Sequence, residues 1–214
     1  MTPTALITSR LRLLPVPSLP ELRLYAAHSG SRLSQLADPD DEDPAPPYWA
    51  YSWGGGLALA HHFRAHPEVV AGRRVLDLGA GSGLVAIAAA KAGAVSVIAS
   101  EIDTFGRAAI PLNAAANNVA ITLRDTDLNA PPPTDIDVLL AGDVFYNQAV
   151  ATRMLPFLTR CAAENITVLI GDPFRKFLPD TVIELARYAV TDMGAAPSTP
   201  LVPAGVFTIA TANR

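Results

Sequence analysis

The sequence predicts a doubly wound α/β domain with a mainly parallel sheet and a small N-terminal arm. Several apolar segments, among them RRVLDLG, VSVIAS, IDVLLAG and ITVLIG, have the composition of strands that are buried on both faces. Segments of about 10–15 residues with helical character alternate with these strands. A glycine-rich turn follows the first strand, and an acidic residue closes the second. These three observations together favour a ligand-binding α/β fold.

The chain is long enough for one domain and a short arm, since it has 214 residues. An acidic and proline-rich run around residues 38–47, which includes the stretch from Asp38 to Asp43, marks a linker. We therefore expect residues 1–47 to form an N-terminal arm and linker. Residues 48–214 are expected to form the catalytic or binding domain.

Charge and cysteine content exclude several classes of function. The net charge of −4 lacks the basic excess that binding to a phosphate backbone requires, so no nucleic-acid partner is expected. Cys161 is the single cysteine, which rules out an internal disulfide and multi-cysteine metal sites and indicates a reducing compartment. We expect no metal ion and no membrane span. The N-terminus does not resemble a signal peptide, and the predicted location is cytoplasmic.

The predicted elements follow the chain in a regular order. Proline, glycine and charged residues separate them, as expected for the ends of helices and strands. The predicted helices lie at 19–27, 84–93, 104–117, 148–162 and 179–187. The predicted strands lie at 73–79, 95–100, 119–123, 136–142 and 166–171, followed by two final strands, YAVTDM and VFTIATA.

The glycine turn and the acid that follows it predict a nucleoside site. Gly79, Gly81 and Gly83 let the backbone approach a ligand closely, and the next helix offers free N–H groups at its start. A dinucleotide motif would place its third glycine at position 84, where this chain has leucine, so NAD or FAD is the weaker alternative. Glu101 closes the next strand about 20 residues on, a spacing suited to ribose hydroxyls.

The segment VLDLGAGSG, followed by an acid at the end of the second strand, resembles the seven-strand class I S-adenosylmethionine methyltransferases. The resemblance implies S-adenosylmethionine as cofactor and a seven-stranded sheet. The three glycines would contact its methionine part, with Asp77 near the amino group. The remaining implied contacts are Glu101 with the ribose, Ile102 with the adenine ring, and Asp127 with Leu128 at the adenine amino edge. Asp125 is an equally placed alternative to Asp127.

Four aromatic residues cluster in PPYWAYSWGGG, before the first strand. If the segment is extended, Trp49, Tyr51 and Trp53 lie on one side, and the glycines let it pass closely over a ligand. Trp53 is therefore predicted to line the cofactor site. The alternative is that these rings pack the arm into the core.

The segments PYWAYSWGGG, GDVFY and IGDPFRKFLP together resemble the methyltransferases that modify lysines of the electron-transfer flavoprotein β-subunit. The resemblance covers roughly residues 20 to 192 and implies a protein substrate. It also implies catalytic roles for Asp143 and Tyr146 in the D-x-x-Y pattern. The chain departs from that family at three positions. It has Gly54 where proline is often found, Glu101 where aspartate is usual, and Phe174 where glycine is common.

The chemistry of such an enzyme sets what these residues must do. Methyl transfer to an amine is an in-line displacement, for which the protein must align the reactants and exclude water. Asp143 is expected to orient the amine through one N–H, with general-base catalysis as the alternative. Tyr146 is expected to present its ring face to the amine. Arg175 is predicted either to contact an acidic patch on a protein substrate or to lie in a solvated loop.

The sequence is compatible with three hypotheses about function. The first is a lysine methyltransferase for the electron-transfer flavoprotein β-subunit. The second is the same fold acting on another protein lysine, such as one of a ribosomal protein, or on a small amine. The third is a non-catalytic module that binds S-adenosylmethionine.

Overall fold

The computed structural model describes residues 1–33, 47–191 and 200–210. Within these residues the chain forms five α-helices, a two-stranded hairpin and a seven-stranded sheet. The helices are α1 (Pro3–Arg10), α2 (Gly54–Ala65), α3 (Leu84–Lys91), α4 (Thr104–Ala116) and α5 (Gln148–Ala163). The hairpin strands are β1 (Arg12–Val16) and β2 (Leu19–Ala26). The sheet strands are β3 (Arg74–Leu78), β4 (Ser96–Ser100), β5 (Thr122–Leu123), β6 (Val138–Gly142), β7 (Thr167–Asp172), β8 (Val182–Val190) and β9 (Val202–Ile209).

The sheet has the order β5-β4-β3-β6-β7-β9-β8, and this confirms the predicted doubly wound, mainly parallel, seven-stranded architecture. Strands β3 to β7 pair in parallel, whereas β9 runs antiparallel to both of its neighbours. The chain moves outward from β3 through β4 to β5, then returns to add β6 and β7 on the other side. The strand order therefore reverses between β3 and β6, where such sheets bind ligands at the carboxyl ends of their strands.

Successive residues of the sheet strands bury their side chains in two separate clusters. On β3, Val75 belongs to a cluster with α2 and α3, whereas Leu76 belongs to a second cluster with α5. This alternation is expected for a strand covered on both faces, because adjacent side chains point to opposite sides of the sheet. Both faces are thus packed with apolar side chains, and the polar groups are left at the strand ends.

The helix predicted at 19–27 is wrong, because these residues form β2. Leu22 and Leu24 are buried, whereas Glu21 before them and Arg23 between them are exposed, which is the two-residue period of a strand with one buried face. The segment ELRLYA consists largely of residues with good helix propensity. Pairing of β2 with β1 in an antiparallel hairpin overrides that propensity.

The helix predicted at 179–187 is also wrong, because residues from Val182 to Val190 form β8. The segment VIELARYAV contains good helix formers, but β8 pairs along its length with β9. Since β9 comes later in the sequence, this pairing was not visible from the local pattern. The final strands were predicted from YAVTDM and VFTIATA, whereas β8 already ends at Val190 and β9 covers Val202–Ile209.

The first 26 residues pack onto the rest of the molecule. Helix α1 and strand β2 contact α4, and the buried side chains of Leu22 and Leu24 join the same core cluster as α2 and α3. The acidic run from Asp38 to Asp43 lies outside the described residues, so the boundary between residues 47 and 48 stays a prediction. In the part of the chain that is described, no helix is both long enough and apolar enough to cross a bilayer.

Candidate functional site

The glycine turn between β3 and α3 lies where the strand order reverses. Gly79, Gly81 and Gly83 have φ angles of 72°, 54° and 81°, in the left-handed region that side chains disfavour. Gly83 is the N-cap residue of α3. A Cβ atom at Gly83 would also lie 3.3 Å from Cγ1 of Ile110. The conformation of the turn therefore depends on glycine, as the sequence predicted.

Asp77 lies below this turn, near the end of β3, and is almost completely buried. Its Oδ2 atom accepts a hydrogen bond of 2.9 Å from the backbone N–H of Ala86 in α3. Burial raises the pKa of Asp77 to about 7, although the Ala86 N–H opposes this shift. The carboxyl group thus links β3 to α3, and its burial destabilises the ionised form.

Replacement of Asp77 by asparagine is expected to stabilise the protein at pH 8 by ~1–3 kcal/mol. The folded carboxyl group keeps its proton up to pH ~7, whereas the unfolded one loses it near pH ~4. Wild-type stability therefore falls as the pH rises through this window, and asparagine avoids the loss while its amide oxygen still accepts the Ala86 N–H. Thermal denaturation at pH 5 and pH 8 checks this. A gain of the same size at both pH values would contradict it.

Glu101 lies just after β4, and its carboxylate is held by three backbone donors. Oε2 accepts a hydrogen bond of 2.6 Å from Gly81, while Oε1 accepts bonds from Ile102 and Asp103 at 2.7 and 2.9 Å. A Cβ atom at Gly106 would lie only 2.9 Å from Cγ of Glu101, so glycine makes room for the longer side chain. The carboxylate is therefore fixed against the glycine turn, and Oε2 retains one lone-pair direction for a hydroxyl group.

A crevice of about 350 Å³ opens beside Glu101. Ile102 lines it and is 95% exposed, which is unusual for a large apolar side chain between two fixed neighbours. The other lining residues are Ser100, Arg107, Asp125 and Thr126. An exposed isoleucine beside a carboxylate suits a ligand with an apolar ring and a polar sugar.

The two residues predicted to meet the adenine amino edge lie beside this crevice without lining it. Oδ1 of Asp127 accepts a hydrogen bond from the backbone N–H of Asn129. Leu128 is partly buried and packs against the cluster around α5. Asp125, the alternative, lines the crevice and pairs with Arg107, and the buried Oγ1 atom of Thr126 has no protein partner. The adenine role of Asp127 and Leu128 stays a prediction, and the lining favours Asp125 with Thr126.

Asp143 follows β6, the strand next to β3, and has a left-handed φ angle of 55° that aspartate tolerates better than most residues. Its Oδ2 atom accepts a hydrogen bond of 2.9 Å from Gly56 at the start of α2, and its Oδ1 atom accepts one of 3.0 Å from Nη2 of Arg175. Only 11% of the side chain is exposed. Burial raises the pKa of Asp143 to about 6, and the Arg175 guanidinium opposes this rise.

Four aromatic rings form a cluster that contacts Arg175, the hydrogen-bond partner of Asp143. The Tyr48 ring lies 5.6 Å from those of both Trp53 and Tyr146, and Tyr51 lies 6.0 Å from Trp53, between ring centroids. Tyr48 and Tyr146 are each nearly half exposed, so their faces are open to a ligand. Tyr146 and Trp53 thus both pack near Tyr48, and their roles at the site stay predictions.

Trp49 does not join these rings, because residues Tyr48–Ala50 form a short 3₁₀ turn instead of an extended strand. Its ring stacks on Phe105 of α4 at 5.8 Å and is only 2% exposed. The packing interpretation of the aromatic segment therefore holds for Trp49, which packs against α4 in the cluster that also holds Ile7 of α1. The role of Trp53 at the cofactor site stays a prediction.

The loop after β7 supplies Phe174 and Arg175, and it buries most of the Arg175 side chain, so the predicted solvated position of Arg175 is wrong. Arg175 pairs with Asp143, and its guanidinium carbon lies 5.7 Å from the centroid of the Trp53 ring. Phe174 adopts a left-handed φ angle of 60°, which explains why glycine suits this position. The Phe174 ring packs on Phe207 and under Arg187, and these contacts offset the backbone strain.

Asn113 was missed by the sequence analysis. It is completely buried in α4, where Nδ2 donates a hydrogen bond of 2.8 Å to the Ser82 carbonyl in the glycine turn. Its Oδ1 atom accepts one of 2.8 Å from the backbone N–H of Tyr25 in β2. Asn117, one turn later, bonds to both backbone groups of Arg23 but not to the glycine turn. Two asparagines four residues apart in an alanine-rich helix were the available signal.

Comparison with known proteins agrees with this geometry. The family model described as ribosomal protein L11 methyltransferase (PrmA) matches residues 64–144. The electron transfer flavoprotein beta subunit lysine methyltransferase of Danio rerio is 45% identical over 136 residues, which are 63% of this chain and 53% of the relative. The human protein of the same name is 36% identical over 165 residues, or 76% and 63% of the two chains.

A solved structure shares the fold. The magnesium protoporphyrin IX methyltransferase of Synechocystis, solved with bound SAM, superposes with a TM-score of 0.52 at 13% identity. The match covers 72% of this chain and 78% of that one. The sheet topology and the glycine turn at the reversal of strand order therefore define a class I methyltransferase fold.

Within that class, the predicted resemblance to the electron transfer flavoprotein beta subunit lysine methyltransferases is confirmed. Relatives with that name are 36–45% identical to this chain. The chain spans about half of the length of the zebrafish relative and less than two thirds of the human one.

Proposed function

We propose that this chain is an S-adenosylmethionine-dependent protein-lysine N-methyltransferase that modifies the electron-transfer flavoprotein β-subunit. The observation that carries the proposal is the juxtaposition of two sites along one edge of the sheet. The glycine turn with Glu101 and Ile102 suits an adenosyl group, and Asp143 with its aromatic neighbours follows β6, the strand that pairs with β3. The named relatives support this choice of substrate.

The residues of the cofactor site fit the group that the proposal requires. The left-handed glycines leave room for the methionine part, with Asp77 beneath them, and Glu101 offers an acceptor to a ribose hydroxyl. Ile102 is exposed on the crevice wall, where an adenine ring would cover it. S-adenosylmethionine, when bound, supplies an electrophilic methyl group whose bond to sulfur breaks as the amine nitrogen forms the new bond to carbon.

The protein side of the reaction is to present a neutral amine in line with that methyl group. A free lysine has a pKa near 10.4, so making the neutral amine near pH 7.4 costs about 4 kcal/mol. The proton leaves to bulk water before the displacement. Burial among Tyr48, Trp53 and Tyr146 disfavours the ammonium form, and Asp143 accepts one N–H to direct the lone pair.

Incubation of the protein with labelled S-adenosylmethionine and purified electron-transfer flavoprotein tests the proposal. We expect label on lysine of the β-subunit, located by mass spectrometry. Transfer to another protein in a mixed proteome but not to the flavoprotein would overturn the substrate assignment. Cofactor binding without any transfer would favour a non-catalytic binding module.

A ribosomal protein is the second candidate substrate, because the matching family model is described as a ribosomal protein L11 methyltransferase. Ribosomes from cells that lack this protein separate the two candidates. Loss of a lysine methyl group from a ribosomal protein, with the flavoprotein unchanged, would decide for the second.

A cytoplasmic setting and the absence of a nucleic-acid partner remain part of the proposal. The net charge of −4 argues against contact with a phosphate backbone. The lone Cys161 is buried, and burial raises its pKa to about 11, so it does not supply a reactive thiolate.

Replacement of Asn113 by alanine is expected to weaken cofactor binding about tenfold, since it removes the buried bond that holds the glycine turn at Ser82. Asn117→Ala is the matched control. It removes an equally buried amide that holds β2 but leaves the turn untouched. Titration calorimetry gives both dissociation constants. Equal affinities for the two variants would show that Asn113 supports only the packing of the N-terminal residues.

A further inference from the structure

Arg175 and Asp143 form an ion pair at the point where the amine is expected to bind. Nη2 of Arg175 lies 3.0 Å from Oδ1 of Asp143, and three quarters of the arginine side chain is buried. The backbone N–H of Arg175 donates a hydrogen bond of 2.6 Å to Asp172 at the end of β7, and its guanidinium lies over Trp53. The arginine is therefore fixed from three sides.

The ion pair resolves an electrostatic conflict in the proposed chemistry. A carboxylate next to a lysine stabilises the ammonium form, and an opposite charge within about 4–6 Å typically raises such a pKa by about 1–3 units. An isolated Asp143 would thus orient the amine but keep it protonated and unreactive. A guanidinium on Oδ1 cancels most of this effect, and Oδ2, which accepts the Gly56 N–H, keeps a second lone pair for the amine.

We propose that Arg175 is a positioning residue for the amine, which holds the Asp143 carboxylate and compensates its charge so that lysine binds there as the neutral amine. This role rests on the proposed function. It replaces the earlier expectation that Arg175 contacts an acidic patch of the substrate or lies in a solvated loop.

The other charged and titratable groups around Asp143 do not supply this compensation. Asp172 on β7 carries the same sign as Asp143 and raises its pKa, and Tyr146 in the loop after β6 is neutral near pH 7. Helix α2 contributes the Gly56 N–H, which carries no formal charge. Arg175 is the cation that opposes the rise in the Asp143 pKa among the described residues.

The pH dependence of the rate at saturating cofactor and protein substrate tests the proposal, because it reports groups in the bound complex. On the acidic limb of the pH–rate profile the rate falls because the bound amine is protonated. Arg175→Gln is expected to shift this limb to higher pH by about one unit or more. The rate should then be about tenfold lower at pH 7 and recover at higher pH. Arg175→Lys, which keeps the charge, should leave the limb within about half a unit of wild type.

Two further variants separate this role from loop stabilisation and substrate docking. Asp143→Asn combined with Arg175→Gln should return the limb to the wild-type position, because the conflicting charge is gone. Arg187→Gln is the control, since Arg187 pairs with Glu184 and lies over the Phe174 ring without touching Asp143. A uniform fall in rate at every pH, or a salt-dependent rise in KM with an unmoved limb, would overturn the proposal.

An equilibrium measurement keeps the test independent of activity. In protein labelled with ¹³C at aspartate carboxyl groups, the Asp143 signal, assigned with Asp143→Asn, is expected to titrate at least about one unit higher in Arg175→Gln than in wild type. An unchanged titration would overturn the charge compensation. If the Asp143 titration shifts in Arg175→Gln as expected but the wild-type protein methylates no lysine, the proposed function is rejected, and with it this role for Arg175.

Discussion

Replacement of Gly55 by alanine is expected to lower the free energy of unfolding by ~4 kcal/mol or more. A Cβ atom at Gly55 would lie 2.2 Å from the carbonyl oxygen of Gly171, and one at Gly171 would lie 2.1 Å from that of Gly55. These are contacts with backbone, which cannot move aside as a flexible side chain can. The start of α2 and the end of β7 would have to separate, and Asp143 would lose its N–H donor on the same helix.

Gly56→Ala is the matched control for this prediction. It lies one residue on in the same helical turn, and its Cβ would meet Val85 at an ordinary contact distance of 3.4 Å. We expect a change within about 1 kcal/mol, since alanine also suits a helix better than glycine. Urea denaturation followed by circular dichroism compares the two, and the soluble yield reports a Gly55 variant that fails to fold. Similar urea midpoints for the Gly55 and Gly56 variants would contradict the close approach of Gly55 to Gly171.

Removal of the Asp143 side chain is expected to give the largest loss of activity. In Asp143→Ala, methyl transfer should fall by ~10²-fold or more, because the amine loses the acceptor that orients it. The dissociation constant of the cofactor should stay within about twofold of wild type, since the glycine turn and Glu101 are unchanged. Transfer of labelled methyl groups and calorimetry measure the two quantities separately.

Two variants guard against a trivial explanation of that loss. Asp143→Asn keeps an acceptor for the Gly56 N–H, so a fall in activity there cannot come from the start of α2 alone. Asp180→Ala removes an acid in the loop that follows β7 and should leave the rate unchanged. Wild-type rates in Asp143→Ala would remove this residue from the mechanism.

The cofactor side of the site could be predicted because its determinants are local. Asp77, the glycine turn and Glu101 lie within about one strand–helix–strand unit, so their order in the sequence fixes their order in space. The positive φ angles of the three glycines follow from the turn itself. Even here, the choice between Asp125 and Asp127 depended on how a loop folds after β5, which the sequence pattern does not specify.

The substrate side could be predicted only in part, because its contacts are distant in sequence. The D-x-x-Y pattern identified Asp143, but its partners Gly56 and Arg175 lie 87 and 32 residues away. The sequence therefore predicted the acid without the charge that compensates it. The two wrong helices failed for a related reason, since β2 and β8 are strands only by virtue of their partners.

The position of β9 between β7 and β8 also affects the order in which the sheet can assemble during synthesis. On the ribosome, residues emerge from the amino end, so β8 is synthesised before the strand that joins it to the sheet. Until β9 leaves the exit tunnel, the open edge of β7 and the whole of β8 lack neighbours, and such edges pair readily with other chains. Completion of the sheet therefore waits for β9, although β8 precedes it in the chain.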